Sequence, residues 1–420
     1  MNPDLDIDDI LRKAVSLGCS DIHIKPGSPP KMRKNGSLVL VPGYESDVLT
    51  GPQTDLMSFK TMGAQSLGAF NANGFNHDYS YELSNVGRFR VNVYMTRGLR
   101  AFVARLLEST PKSLSELGVP QVISTLAHSK AGIIIVAGAT GSGKSTTMAG
   151  IINLINQTKP VHIISAEDPI EIIHTDVMAS ISQREVGLDV ESFDSALNSA
   201  LREDPDVILV GEIRTLETLK TVLRAADTGH LVVTTLHTTD TAETINRILS
   251  MYPPNERDET RRALASALRG IIGQRLVPSL DGKNRIPVNE ILINTMQMSE
   301  LILDPAKSAK DIKKLVESSA ANGMQSFEQA FIEKVKAKEI TLDVAKENSI
   351  DPSYYDNINF QAAPAPTTIP KKVTPISRPG TLPTLGKAPV VPAKTPPNGS
   401  NPLQRPPSTS HTKRPSNPFA

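Results

Sequence analysis

Cysteine is almost missing from this chain: Cys19 is the only one in 420 residues. No disulfide can form within the chain, and a zinc cage built on cysteines is excluded. Long apolar runs are missing too. No stretch approaches 18 uninterrupted apolar residues, so no membrane-spanning helix is expected. The first residues, MNPDLDIDDIL, are acidic. They lack the basic start and apolar centre of a secretory signal, and a soluble cytoplasmic protein is the expectation. Acidic residues are absent from residues 361–420, which carry eight Lys and Arg. With a formal charge of +1 overall, residues 1–360 are therefore at −7. A mildly acidic folded part argues against a broad nucleic-acid surface.

What is present is most concentrated at residues 133–145, IIIVAGATGSGKS. A β-branched apolar run leads into Gly138, Ala139, Thr140, Gly141, Ser142, Gly143, Lys144 and Ser145, with Thr146 following. This is the phosphate-binding loop G-x-x-x-x-G-K-[ST], set between a strand and a helix as its chemistry requires. The glycines allow backbone N–H groups to turn inward onto phosphate oxygens. Lys144 brings a point charge to the terminal phosphates, and Ser145 offers a hydroxyl to Mg²⁺. The helix that opens near Lys144 adds its positive end. ATP with Mg²⁺ is the expected ligand pair.

Around this loop the chain divides into three parts: residues 1–112, 113–350 and 351–420. The first reads as a small α+β unit. Asp8–Leu17 has helical spacing at Ile10, Leu11, Ala14 and Val15. Ser20–Ile24 alternates as a strand. So does Val86–Tyr94, with Phe89, Val91 and Val93 on one face and Arg88, Arg90 and Asn92 on the other. Ala101–Leu107 completes the strands legible there, and Thr110–Leu117 reads as a linker.

The second part alternates apolar strands with helices. Ile133–Val136, His162–Ser165, Val207–Val210 and Leu231–Thr235 are short, continuous and rich in Ile and Val, which suits a parallel sheet covered on both faces. Lys144–Gln157, Phe193–Arg202 and Leu216–Ala226 read as the intervening helices, and Asn294 to about Lys346 as purely helical. The third part differs in kind. Residues 361–420 hold 15 of the 32 prolines and almost no large apolar residues. Such a segment cannot offset its ordering entropy, and a disordered tail with polyproline II character is expected.

Each of the four strands ends in polar groups suited to nucleotide chemistry, at the strand ends where open α/β sheets bind ligands. After the phosphate loop come Glu167, Asp168 and Glu171 in AEDPIE, then Gly211, Glu212 and Arg214 in VGEIR, then His237 in TTLHT. Phosphoryl transfer calls mainly for positioning and charge neutralisation. Glu212, after the third strand, is expected to hold Mg²⁺. Glu171 is expected to orient or deprotonate the attacking water, and His237 to sense the γ-phosphate as a neutral donor. His230 lies an odd seven residues before His237 and would point to the opposite face of a continuous strand.

SAEDPIEIIH, SALREDPDVILVGEIR and TGHLVVTTLHT resemble the Asp box, Walker B region and His box of the secretion and pilus motor ATPases, the PilT-like retraction ATPases most of all. SDIHIKPGSPP, GRFRVN, LRGIIGQRLVP and GMQSFEQAF extend the resemblance over roughly residues 5–345. It implies a PAS-like N-terminal domain, a RecA-like ATPase domain and a homohexameric ring with ATP between domains and neighbouring subunits. It makes Glu171 the catalytic glutamate, Glu212 the Walker B glutamate, and His230 and His237 the His box. Arg88, Arg90, Arg97 and Arg105 become the arginines expected to reach the phosphates. The implied partner is an inner-membrane pilus platform protein, alongside related pilus motor ATPases, with recruitment to the cytoplasmic face of the inner membrane; the acidic folded part makes nucleic acid an unexpected partner. Thr215 stands where the family usually has Asp. The tetracysteine site of extension ATPases is missing, which favours retraction. A conjugation or type IV secretion ATPase and a nucleotide-gated regulatory component stay open as alternatives, and the tail has no counterpart in the pattern.

Overall fold

A computed structural model describes residues 5–34, 36–107 and 110–356, all within one compact unit. Of the disordered tail expected over residues 351–420, residues 357–420 lie outside the described residues, but Pro352–Tyr355 forms a 3-10 turn, so the fold continues past the expected boundary. The folded part runs through Tyr355, which is buried beside Phe327 and Phe331.

The N-terminal part carries α1 (Ile7–Ser16), β1 (Asp21–Ile24), β2 (Lys31–Lys34), β3 (Ser37–Leu40), α2 (Gly51–Thr61), α3 (Ala64–Asn73), β4 (Asn76–Leu83), β5 (Gly87–Thr96) and β6 (Leu99–Leu106). Asp6 starts α1 by accepting the Asp8 N–H at 3.1 Å, satisfying one of the free donors at a helix start. Ile7, Ile10, Leu11 and Ala14 are buried beneath it. The six strands form one antiparallel sheet in the order β3-β2-β1-β6-β5-β4. On β5 the expected alternation holds: Phe89, Val91 and Val93 enter the core, while Arg88, Arg90 and Asn92 take the other face. Sequence reading missed β2, β3 and β4. KMRK is largely charged and NHDYSYEL is half polar, so neither carries the apolar signal of a buried strand.

The second part carries α4 (Val122–Ala127), β7 (Gly132–Ala137), α5 (Lys144–Thr158), β8 (His162–Glu167), β9 (Ser180–Glu185), α6 (Phe193–Ala200), β10 (Val207–Val210), α7 (Leu216–Asp227), β11 (Leu231–Leu236), α8 (Thr241–Met251), α9 (Arg257–Ala267), β12 (Leu268–Pro278) and β13 (Arg285–Ile293). Helices α10 (Met296–Leu303), α11 (Ala309–Ser318), α12 (Phe327–Lys336) and α13 (Leu342–Glu347) follow. Seven strands make a second sheet in the order β13-β12-β7-β11-β10-β8-β9. Every residue of β7, β10 and β11 is buried, as two covered faces demand. Alternate residues of β7 supply opposite cores. Ile133 and Ile135 pack with α7, α8 and α9, and Ile134 and Val136 pack with α5.

The four strands read from sequence are the central parallel ones. The three that escaped are β9, a polar edge, and the β12–β13 hairpin, where glycines and a glutamine interrupt the apolar pattern. No helix among the described residues is long and apolar enough to cross a membrane.

Candidate nucleotide site

β7 hands the chain to the phosphate loop, and α5 begins at Lys144. Gly143 turns into the helix at φ +85°, a left-handed conformation natural to glycine. Gly138 is required by space. A Cβ there would stand 2.5 Å from the Gln274 carbonyl and from Ser142 Oγ. Gln274, buried on β12, braces the loop from behind. Its Nε2 donates to the Ser142 carbonyl at 2.8 Å. Its Oε1 accepts from Thr147 Oγ1 at 2.7 Å and from Asn289 Nδ2 at 3.0 Å. Lys144 is buried and donates to the carbonyls of Gly138 and Ala139, each at 2.9 Å. Burial pulls its pKa below the usual lysine value, opposed by the charges of Glu212 and Glu171.

The carboxyl ends of β7, β8, β10 and β11 open on one cavity of about 520 Å³. Thr140, Gly141, Gly143, Lys144, Ser145 and Thr146 line one side, and Glu167, Asp168, Glu171, Glu212 and His237 line the other. Glu212 sits beside the fixed turn after β10, where Thr235 Oγ1 donates to the Gly211 carbonyl at 2.7 Å. One Glu212 oxygen pairs with Arg214 and the other lies 3.2 Å from His237 Nε2. Thr215 still starts α7 in place of the usual Asp: its Oγ1 accepts the Thr218 N–H at 3.1 Å.

Arg90 and Arg105 of the N-terminal sheet also line the cavity. Arg90 stands 3.8 Å from Glu171 and 3.5 Å from Asp78, and Arg105 Nε donates to Asp21 at 2.7 Å. Burial pushes Glu167 up to about 6, against hydrogen bonds from Ser165 and Gln183 and with Glu171 and Glu185 nearby. Burial also pulls His174, on the same wall, down to about 4.

Three expected residues are elsewhere. His230 precedes β11 at the end of the sheet away from the cavity, where Nδ1 meets the Ala225 carbonyl at 2.9 Å and Thr228 Oγ1 at 3.1 Å. Arg88 is bound to Glu185 at 2.7 Å. Arg97 sits in the turn between β5 and β6 at φ +53°. None of the three lines the cavity. Sequence reading gave no role to Gln274, although a glutamine inside the apolar run of β12 is itself a signal of a buried polar contact. It also passed over Arg285, which lines the cavity and reaches the Gly141 carbonyl at 3.4 Å.

A phosphate loop, four carboxylates and His237 at the ends of a parallel sheet define a P-loop ATPase of the RecA type, here preceded by a PAS-like domain. Residues 83–351 match the family model described as type II/IV secretion system protein. The chain belongs to that family and is a PilT-like ATPase within it. It is 37% identical over 343 residues to the type IV pilus ATPase PilU of Pseudomonas aeruginosa, covering 81% of this chain and 88% of that one. It is 36% identical over 354 residues to the retraction ATPase PilT of the same organism, covering 84% of this chain and all of that one. The crystal structure of the pilus retraction motor PilT with bound ADP superposes with a TM-score of 0.77 at 39% identity, over 84% of this chain and 100% of that chain.

Proposed function

We propose that this chain is a hexameric motor whose ATP hydrolysis drives type IV pilus retraction, drawing pilin subunits out through an inner-membrane platform protein. The observation that carries this reading is similarity to a retraction motor over that motor's whole length and 84% of this chain, joined to a cavity lined by a phosphate loop, four carboxylates and two N-terminal arginines.

The roles follow from position. Residues Gly138–Thr146 wrap the phosphates, and Lys144 leaves its loop carbonyls for the β- and γ-phosphates. Glu171, at the cavity edge, takes a proton from the attacking water or orients it. His237, held by Glu212, reports on the γ-phosphate. Arg90 and Arg105 approach from the N-terminal sheet, and a neighbouring subunit supplies or completes the arginine contacts.

The oxygen donors fit Mg²⁺. Ser145 and Glu212 both line the cavity, and Mg²⁺ prefers one or two protein oxygens together with waters and substrate phosphates. No cluster of three or more His, Cys, Asp or Glu able to cage a metal occurs among the described residues, as suits an ion shared with the nucleotide. Bound there, Mg²⁺ supplies charge neutralisation at the transferring phosphate. The ring acts at the cytoplasmic face of the inner membrane, recruited by the platform protein.

A deletion strain tests the function. It should keep surface pili but lose retraction and twitching, and Lys144→Ala should fail to restore them. Loss of secretion or conjugation with normal twitching would transfer the motor to another machine.

A further inference from the structure

The segment between β8 and β9 carries Glu171 and contains no helix or strand of its own. Its backbone groups need partners from outside: Asn156 of α5 takes Thr175, Val177 and Met178, and β9 takes those around Glu171. Gln183 Nε2 donates to the Ile172 carbonyl at 2.9 Å and to Glu167 Oε1 at 3.1 Å. Gln183 Oε1 accepts the His174 N–H at 2.8 Å. Two residues on, and so facing the same way, Glu185 Oε2 accepts the Ile170 N–H at 3.1 Å. Ile170 and Ile172 are the residues on either side of Glu171. Each is therefore fastened by a side chain of β9.

Glu185 does more than hold Ile170. The same oxygen accepts from Ser80 Oγ at 2.9 Å and from Arg88 Nη2 at 2.7 Å, both on the N-terminal sheet. Glu185 is 4% exposed, so this charge depends on those donors being in place. The position of the loop is thereby linked to the seating of the N-terminal domain. An amide at 183 is also the chemically suitable group. It donates to the Glu167 carboxylate and accepts from a backbone N–H, which neither a carboxylate nor an apolar side chain can do together.

We propose that Gln183 and Glu185 are positioning residues for Glu171, and that Arg88 acts through Glu185 to make the base competent only when the N-terminal domain is seated. This rests on Glu171 being the base. Arg88 then has a role away from the phosphates.

The test uses the full-length ring and three readouts: kcat, KM and the affinity for fluorescent ADP. Gln183→Met should lower kcat by up to about 10²-fold, the scale of a 1 Å misplacement, with ADP affinity within about two-fold of wild type, since affinity rests on the phosphate loop. Arg88→Gln should lower kcat in the same pattern. Gln183→Met combined with Glu171→Gln should be no slower than Glu171→Gln alone, because both act through one carboxylate. Wild-type turnover in Gln183→Met, a parallel loss of ADP affinity, or an additive double variant would each overturn the proposal. Normal turnover in Glu171→Gln would instead remove the base assignment, and the positioning role with it. Should Gln183→Met fail to fold, Gln183→Glu serves. Its turnover should rise relative to wild type as pH falls, because a protonated acid regains one of the two donors, for Glu167 or for the Ile172 carbonyl, and a profile parallel to wild type would sink the idea.

Discussion

His237 Nε2 stands 3.2 Å from Glu212 Oε2, joining the ends of β11 and β10 at the cavity wall. The other Glu212 oxygen is paired with Arg214, and Arg214 also reaches Asp168 at 3.4 Å. Any movement of His237 toward a phosphate must stretch or turn this contact, so His237 and Glu212 answer to one another. Glu212→Gln keeps the shape but removes the charge that Arg214 and the proposed Mg²⁺ use. Turnover should fall sharply, with partial recovery in excess Mg²⁺. Glu171→Gln should keep ATP binding and lose turnover with no such recovery. Rescue of the Glu171 variant by Mg²⁺, with the Glu212 variant unresponsive, would reverse the two roles.

Lys144→Ala should cost at least about 10²–10³ in turnover, the scale of removing one donor that stabilises transition-state charge in an oxyanion hole. The fold should survive, because the ammonium bonds only to carbonyls of its own loop. ATPase assay beside thermal melting checks both statements, and near-normal hydrolysis would remove the central assignment.

Gln274→Leu should act on binding and stability together, in contrast to Gln183→Met. It strips partners from the Thr147 hydroxyl, the Asn289 amide and the Ser142 carbonyl at once. A buried group left unsatisfied costs about 1–3 kcal/mol. Melting temperature should drop by several degrees, and fluorescent ADP should bind more weakly. Unchanged affinity would show that the phosphate loop holds its form without this brace.

Glu290 offers a pH test away from the cavity. Burial pushes it up to about 7, with Asp240 adding to the rise and the Thr241 N–H and Lys313 opposing it. Between about 4.5 and about 7 the folded protein keeps a proton that the unfolded chain releases. Stability contributed by this group is therefore present at low pH and lost as pH rises through that window. Glu290→Gln should remove that loss, by about 1–3 kcal/mol at pH 8, and should matter little at pH 4.5. Chemical denaturation of both proteins across pH 4.5–8 reads the difference. Parallel curves would contradict it.

A shared site predicts dependence on assembly. Specific activity should climb with protein concentration through the range where rings form. Mixing Lys144→Ala protomers with Arg90→Ala or Arg105→Ala protomers should restore part of the activity each lacks. An isolated monomer at full activity would rule out sharing.

The sequence revealed the middle of the ATPase sheet and the loop that follows β7 because buried parallel strands and phosphate loops use few residue types at fixed spacings. It placed Glu171, Glu212 and His237 at strand ends, and the structure brings all three to one cavity. It did not reveal β9, β12 or β13, whose polar residues serve particular contacts: Gln183 and Glu185 fasten a loop, and Gln274 braces another. Those partners are 9–132 residues away in the chain, and no local pattern encodes them. The arginines divide for the same reason. Arg88 and Arg90 share a strand face, yet one meets Glu185 and the other Glu171, and only the docking of two domains decides which.

β9 closes the ATPase sheet as an edge strand, paired with β8 alone. Edge strands open at lower free energy than the interior of a sheet, as local units with their own exchange equilibria. The strand that fastens both flanks of Glu171 is thus among the first parts of the sheet free to detach. Amide hydrogens of β9 and of residues 170–174 should exchange together and faster than those of β7 or β11. With Glu171 as the proposed base, excursions of that unit should lower hydrolysis and leave the phosphate loop in place.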